Sequence, residues 1–234
     1  MLIVPSFRVR TLIQSAMCHV QEALDFATLH PTRLMRKRAA IQSARFALDH
    51  MPGALSFYTS RQVLTYALSQ LTMAGSILEF GVFKSGTICY IAARCPDRKV
   101  HGFDSFEGLP TDWEGTGHGR GAFHAGGKLP KVPGNVTLHR GLFDATLPNW
   151  AQANPDPIAF LHVDCDLYQS TTTIFAVLQE RICPGVVVGF DDYFGYPGWQ
   201  HGEHQAFGEF IQRTGCKFRY LCHASHQVAV QITA

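Results

Sequence analysis

Val186 Val187 Val188 Gly189 Phe190 Asp191 Asp192 Tyr193 is an unbroken apolar run that ends in two adjacent carboxylates. The run, entered through Pro184 and Gly185, has the length and β-branched content of a buried strand. A second run, Phe160 Leu161 His162 Val163, ends the same way, in Asp164 Cys165 Asp166 Leu167 Tyr168. Carboxylates at the carboxyl ends of neighbouring parallel strands converge on the crevice where open α/β sheets bind ligands. Four acids in one crevice repel one another unless a cation intervenes. Clustered hard oxygen donors suit Mg2+ or Mn2+.

Working outward, Ser76 Ile77 Leu78 Glu79 Phe80 Gly81 Val82 is a short strand closed by a glycine turn. Strands are expected at Val100 to Phe103, Val136 to His139, Ile158 to Val163 and Val186 to Phe190, with helices starting near Ser85, Leu147 and Ser170. This alternation is the signature of a parallel α/β sheet. Two last strands, Lys217 to Cys222 and Gln227 to Ile232, are close enough in sequence to form an antiparallel hairpin. Before the sheet, helical periodicity runs from Thr11 to about Met51, is interrupted at Pro31 and is closed by Pro52 Gly53, and a third helix follows from Ser60 to about Met73. Residues 1–59 are thus expected to be an N-terminal helical extension, a candidate lid, and residues 60–234 the α/β domain. The stretch from Asp104 to Gly134 is dense in Gly, Pro, Trp and His, and is too long for an ordinary connection, so it is either a functional loop or disorder. Its aromatic content favours a binding loop.

The chain has 234 residues, 46% of them hydrophobic and 16% charged, enough for one domain with a full core. A formal net charge of +2 gives no footing for a nucleic-acid or membrane surface, and the one basic cluster, Arg33, Arg36, Lys37 and Arg38, suits a solvated helix face. The seven cysteines show no C-x-x-C spacing, which argues against a disulfide framework or a zinc ribbon and makes a reducing cytoplasm the simplest compartment. Met1 to Val4 is cut short by Pro5 and is not a signal peptide. His201 with His204 and His223 with His226 have H-x-x-H spacing but lack the glutamate of a zinc protease.

Gly81 permits close approach of a ligand, and Ser85 or Thr87 can cap the helix that follows. Asp104, twenty-five residues beyond Glu79, stands at the end of the second strand, where an acid accepts hydrogen bonds from ribose hydroxyls. Together they indicate an adenosine-containing cofactor. The dinucleotide fingerprint G-x-G-x-x-G is missing, which lowers NAD.

The segments Glu79 to Val82, Gly102 Phe103 Asp104 Ser105 Phe106 Glu107 Gly108 Leu109 Pro110, Gly141 to Pro148, His162 to Tyr168 and Phe190 to Tyr193 resemble the macrocin O-methyltransferase type of metal-dependent class I S-adenosylmethionine-dependent O-methyltransferase. That resemblance implies a Rossmann-like sheet of seven strands with a reversed final hairpin. It implies S-adenosylmethionine contacts at Glu79, Gly81, Ser85, Asp104, Ser105 and Asp164. It also implies Mg2+ or Mn2+ held by Asp164, Asp191 and Asp192, a general base at Asp166, and a homo-oligomer.

The chemistry fits the residues. A divalent ion held by three carboxylates leaves positions that two neighbouring hydroxyls can chelate, which lowers the pKa of one and fixes it in line with the donor methyl. Asp166 would take the proton. Vicinal diols of a sugar or a catechol suit this geometry, so the expected acceptor is a small-molecule hydroxyl, on a sugar or glycosylated natural product. A metal-dependent hydrolase or hydroxylase, and a non-catalytic S-adenosylmethionine-binding protein, are the alternatives.

Overall fold

A computed structural model describes residues 16, 17, 19, 20 and 30–234. The helical periodicity read between Thr11 and Pro31 falls almost entirely outside them. Helix α1 (Pro31–His50) starts with proline in its first turn, where a missing N–H costs nothing. The break expected at Pro31 is therefore a helix start. Then come β1 (Leu55–Ser56), α2 (Ser60–Ser69), β2 (Ser76–Phe80), α3 (Gly86–Arg94), β3 (Val100–Asp104) and β4 (Val136–Arg140). The second half has α4 (Phe143–Ala153), β5 (Ile158–Val163), α5 (Tyr168–Leu178), β6 (Val187–Phe190), α6 (Glu203–Thr214), β7 (Lys217–His223) and β8 (Val228–Thr233).

Helix α2 is nucleated by a capping box: the Thr59 side chain accepts from the Gln62 amide, and Gln62 reaches back to the Thr59 amide. Helix α4 starts four residues before the expected Leu147, with Pro148 inside it. A proline this near the helix start removes only one early hydrogen bond, so it does not set the boundary.

The eight strands form one sheet in the order β1-β7-β8-β6-β5-β2-β3-β4, parallel except where β8 pairs with β6 and β7. The expected final hairpin is present. The strand beyond the expected seven is β1, two residues that pair with β7 at the edge. Alternation along the strands feeds two cores: Leu78, Phe80, Leu161 and Val163 face α4, α5 and α6, while Ile77 and Phe160 face α2 and α3. Phe80 stacks on Phe103 at 5.1 Å between ring centroids, both fully buried. Truncating such a side chain to alanine costs about 3–5 kcal/mol.

The strand order reverses between β2 and β5, which makes their carboxyl ends the topological switch point. The crevice opens there, between the Gly81 turn and Asp164. A Cβ on Gly81 would lie 1.7 Å from the Asp164 carbonyl oxygen, and its φ is +95°, so close approach of the two strand ends requires glycine. No helix among the described residues is long and apolar enough to cross a membrane.

Candidate active site

The turn after β2 places three residues with positive φ in alternation, Gly81, Phe83 and Ser85, and so turns successive amides to one side. Asp104, at the end of β3, receives them: its Oδ2 accepts from the amides of Val82 (2.8 Å) and Phe83 (2.7 Å), and its Oδ1 from Phe106 (2.6 Å). Asp104 thus ties two strand-end turns together, and it also lines a cavity of about 620 Å³ along with Gly81, Ser105, Phe143 and Asp164. Ser105 fixes its own turn, accepting from the Glu107 amide and donating to the Gly108 carbonyl.

Two of the expected cofactor residues are not in this wall. Ser85 is buried in a left-handed conformation, makes no cap, and donates to the Lys84 and Lys131 carbonyls. Glu79 is fully buried behind the turn, opposite His162 in the β2–β5 register, with 3.6 Å between carboxylate and Nδ1. Burial pushes the Glu79 carboxyl up in pKa against the opposing pull of His162; for His162 the pull of Glu79 prevails over burial and raises its pKa. Lys84, Gly86 and Thr87 line the cavity in their place.

Asp164 and Asp166 flank Cys165. Cys165 is buried in the core and approaches the Thr171 hydroxyl at 3.4 Å, while Asp164 and Asp166 line the cavity. Asp166 completes this arrangement with φ +65°. Asp192 turns toward Asp164 and Asp166, and one ligand atom from each of the three lies within 4.8 Å of the others. Asp191 instead hydrogen-bonds the Gln227 side chain and feels the charges of His162 and His226. One trio gathered by the fold is thus Asp164, Asp166 and Asp192, while the expected ligand Asp191 lines the second cavity with all three.

Burial, and then crowding, raises the pKa of Asp164 and Asp166. Asp164 is held well above the carboxylate range, first by burial and then by the charges of Asp191, Glu79, Asp166 and Asp192. Asp166 is pushed up to about 8 by burial, the Asp192 charge and a hydrogen bond with Asp192. Facing Asp192 is His226, with Nδ1 3.5 Å from Oδ1. A cluster of hard oxygen donors this close, and this reluctant to ionise, fits a divalent cation.

Glu203, the first residue of α6, carries no sequence signal of its own, yet it is fully buried behind the cluster. Its Oε2 accepts from the Asp192 amide at 3.1 Å, while its Oε1 has no partner. Burial and the charges of Asp192, Asp166 and Asp191 raise its pKa well above the usual value.

A second cavity, of about 830 Å³, shares Asp164 and Asp166 with the first and is also lined by Asp191 and Asp192. Trp113 and Tyr196 wall it, their rings 5.4 Å apart and edge to face. The loop carrying Trp113 is docked at Gly115, where a Cβ would lie 1.9 Å from the Pro197 carbonyl oxygen. The long stretch after Asp104 thus lines the second cavity through Trp113, Thr116 and His118. Helix α1 closes another side through Arg36, Ala40 and Ser43; the Gly195 amide donates to the Ser43 hydroxyl at 2.8 Å, and Phe46 packs edge-on to Trp199. His223 and His226 line this cavity, whereas His204 packs among aromatic rings.

Residues 78–193 match the family model described as a methyltransferase domain. A tetracenomycin-related sugar 4'-O-methyltransferase from Streptomyces olivaceus, named for a 2,3-dimethoxy-rhamnosyl substrate, is 31% identical over 139 residues, 51% of this chain and 53% of its own. The chain thus spans about half the length of that curated relative. Among solved structures, CalS11, a calicheamicin methyltransferase, is similar with a TM-score of 0.58 at 22% identity, covering 86% of this chain and 93% of its own. The O-methyltransferase NovP is similar with a TM-score of 0.54 at 24% identity, covering 74% and 78%. Residues 78–193 thus resemble a methyltransferase domain, and the sheet has the Rossmann-like methyltransferase fold.

Proposed function

We propose that the protein is an S-adenosylmethionine-dependent O-methyltransferase that methylates a sugar hydroxyl of a glycosylated small molecule, with Mg2+ or Mn2+ held by Asp164, Asp166 and Asp192. One observation carries this reading: those acids stand where two cavities meet, since Asp164 and Asp166 line both. The first cavity suits the methyl donor, with Asp104 at the ribose and Leu142 and Phe143 beside the adenine. Its methionine end would run toward Gly86 and Thr87, which also line a third cavity of about 260 Å³ where Arg61 can meet the carboxylate. The second cavity, with its aromatic walls and acidic floor, suits a glycoside. The tetracenomycin-related enzyme is named for methylation of a rhamnose, which agrees in substrate class.

The bound cation would polarise the chelated hydroxyl and offset the crowded carboxylates. Asp164 and Asp192 orient it, and Glu203 fixes Asp192 through its amide. Asp166, facing both cavities, would accept the hydroxyl proton through an oxygen left free by the cation, as the hydroxyl oxygen bonds to the methyl carbon and the methyl–sulfur bond breaks to leave S-adenosylhomocysteine. The rest of the catalysis is positioning.

The test is incubation with methyl-labelled S-adenosylmethionine and a panel of rhamnosylated aromatic glycosides, with parallel calorimetry of S-adenosylhomocysteine. Binding of S-adenosylhomocysteine with label transferred to the glycoside supports the reading. Binding without transfer to any hydroxyl favours a non-catalytic S-adenosylmethionine-binding protein. No binding rejects the methyl-donor cavity and favours a metal-dependent hydrolase.

A further inference from the structure

Three residues line both large cavities: Asp164, Asp166 and Phe123. The third is unexplained by the chemistry above. Phe123 sits at φ +62°, a left-handed conformation that bulky side chains avoid and that persists where the surroundings impose it. Its neighbours impose it here: the Leu109 amide donates to the Ala122 carbonyl at 2.9 Å, and the Gly121 amide to the Leu109 carbonyl at 2.8 Å. The ring is braced edge-on by Phe83 at 5.9 Å and by a tilted His118 ring at 4.8 Å, yet it remains 38% exposed. An apolar ring held in a disfavoured conformation, with its open area at the junction of two cavities, is placed to meet a ligand.

We propose that Phe123 is a specificity-determining residue whose exposed ring is the surface on which the C–H face of the acceptor sugar seats beside the donor methyl. The proposal rests on reading the two cavities as donor and acceptor sites. Aromatic faces take up the apolar side of a pyranose while its hydroxyls turn to the polar groups opposite, which here are the acids that share the junction.

The decisive variant is Phe123→Gly, because glycine adopts the left-handed backbone without strain. In the presence of S-adenosylhomocysteine and Mg2+, Phe123→Gly should bind a rhamnosylated aromatic glycoside about tenfold more weakly than wild type, equivalent to about 1.4 kcal/mol. Its thermal midpoint should be unchanged or higher, and its S-adenosylhomocysteine affinity within about threefold of wild type, with Phe123→Tyr retaining the glycoside and Phe123→Leu intermediate. Wild-type glycoside affinity in Phe123→Gly would overturn the assignment. So would a lowered thermal midpoint with both affinities falling together, since that is the mark of a loop anchor. If wild type binds S-adenosylhomocysteine but none of the glycosides, the sugar-acceptor reading itself fails and takes this one with it.

Discussion

Replacing Asp166 with asparagine should stabilise the protein in chelator while removing its response to Mg2+. The Asp166 carboxyl is raised from 3.8 to about 8, first by burial and then by the charge and hydrogen bond of Asp192. An acid whose folded pKa lies above its unfolded value makes the folded state bind more protons. Its contribution is therefore most favourable below the unfolded pKa and is lost as pH climbs toward the folded one. At pH 7 the gap is about three units, a ceiling of about 4 kcal/mol at about 1.4 kcal/mol per unit. Relaxation and screening by water leave on the order of 1–2 kcal/mol. For a chain of this size that raises the thermal midpoint by roughly 2–8 °C. Saturating cation acts the other way on wild type, adding about 2.7 kcal/mol at a hundredfold excess over Kd. Thermal unfolding of both proteins at pH 7, in EDTA and across a Mg2+ titration, measures each effect. An Asp166→Asn protein less stable than wild type in EDTA, or one with an undiminished Mg2+ shift, would refute the reasoning.

Asp104→Ala should weaken S-adenosylhomocysteine binding by at least about 1.5–3 kcal/mol and also lower the thermal midpoint, because three backbone amides lose their acceptor; calorimetry and thermal unfolding on the same sample check both. Glu203→Ala should lower Mn2+ affinity, read by electron paramagnetic resonance, and Glu203→Gln should restore most of it, since an amide oxygen can still accept from the Asp192 amide. Equal loss in both variants would mean that the charge of Glu203 matters and its hydrogen bond does not. His101, lowered to about 4 by burial and by the neighbouring His139, is neutral in the folded protein. Its stabilising share should therefore fall as pH drops from about 6.5 toward 4, by at most about 3 kcal/mol, so that denaturant midpoints of wild type and His101→Gln differ less at pH 4.5 than at pH 7.

The sheet was legible because buried parallel strands are written as short apolar runs, and each here ends in a residue that announces the crevice: Gly81, Asp104, Asp164 and Asp191. The two-residue edge strand Leu55–Ser56 has no such run and exists through its pairing with β7. Asp164 and Asp166 were legible as a pair because both follow directly on the apolar run that becomes β5. Asp191 and Asp192 were legible as a motif but not in their directions, which depend on what packs against each: Gln227 and His162 for the first, the acid cluster for the second. Glu79 illustrates a different limit. Its place before the glycine turn suggests a ligand contact, yet its partner is His162, on a neighbouring strand some eighty residues along the chain. Glu203 and Phe123 were illegible because burial and backbone conformation arise from long-range packing, and neither residue type marks them.

The most direct measurement of the central claim is turnover with S-adenosylmethionine and a rhamnosylated aromatic glycoside, with the product resolved by mass spectrometry and NMR, in EDTA and after back-titration with Mg2+. The account predicts a product heavier by one methylene, the methyl on a sugar oxygen, no turnover in EDTA, and full recovery with Mg2+. Undiminished turnover in EDTA, or a methyl group on a carbon or nitrogen of the acceptor, would contradict it.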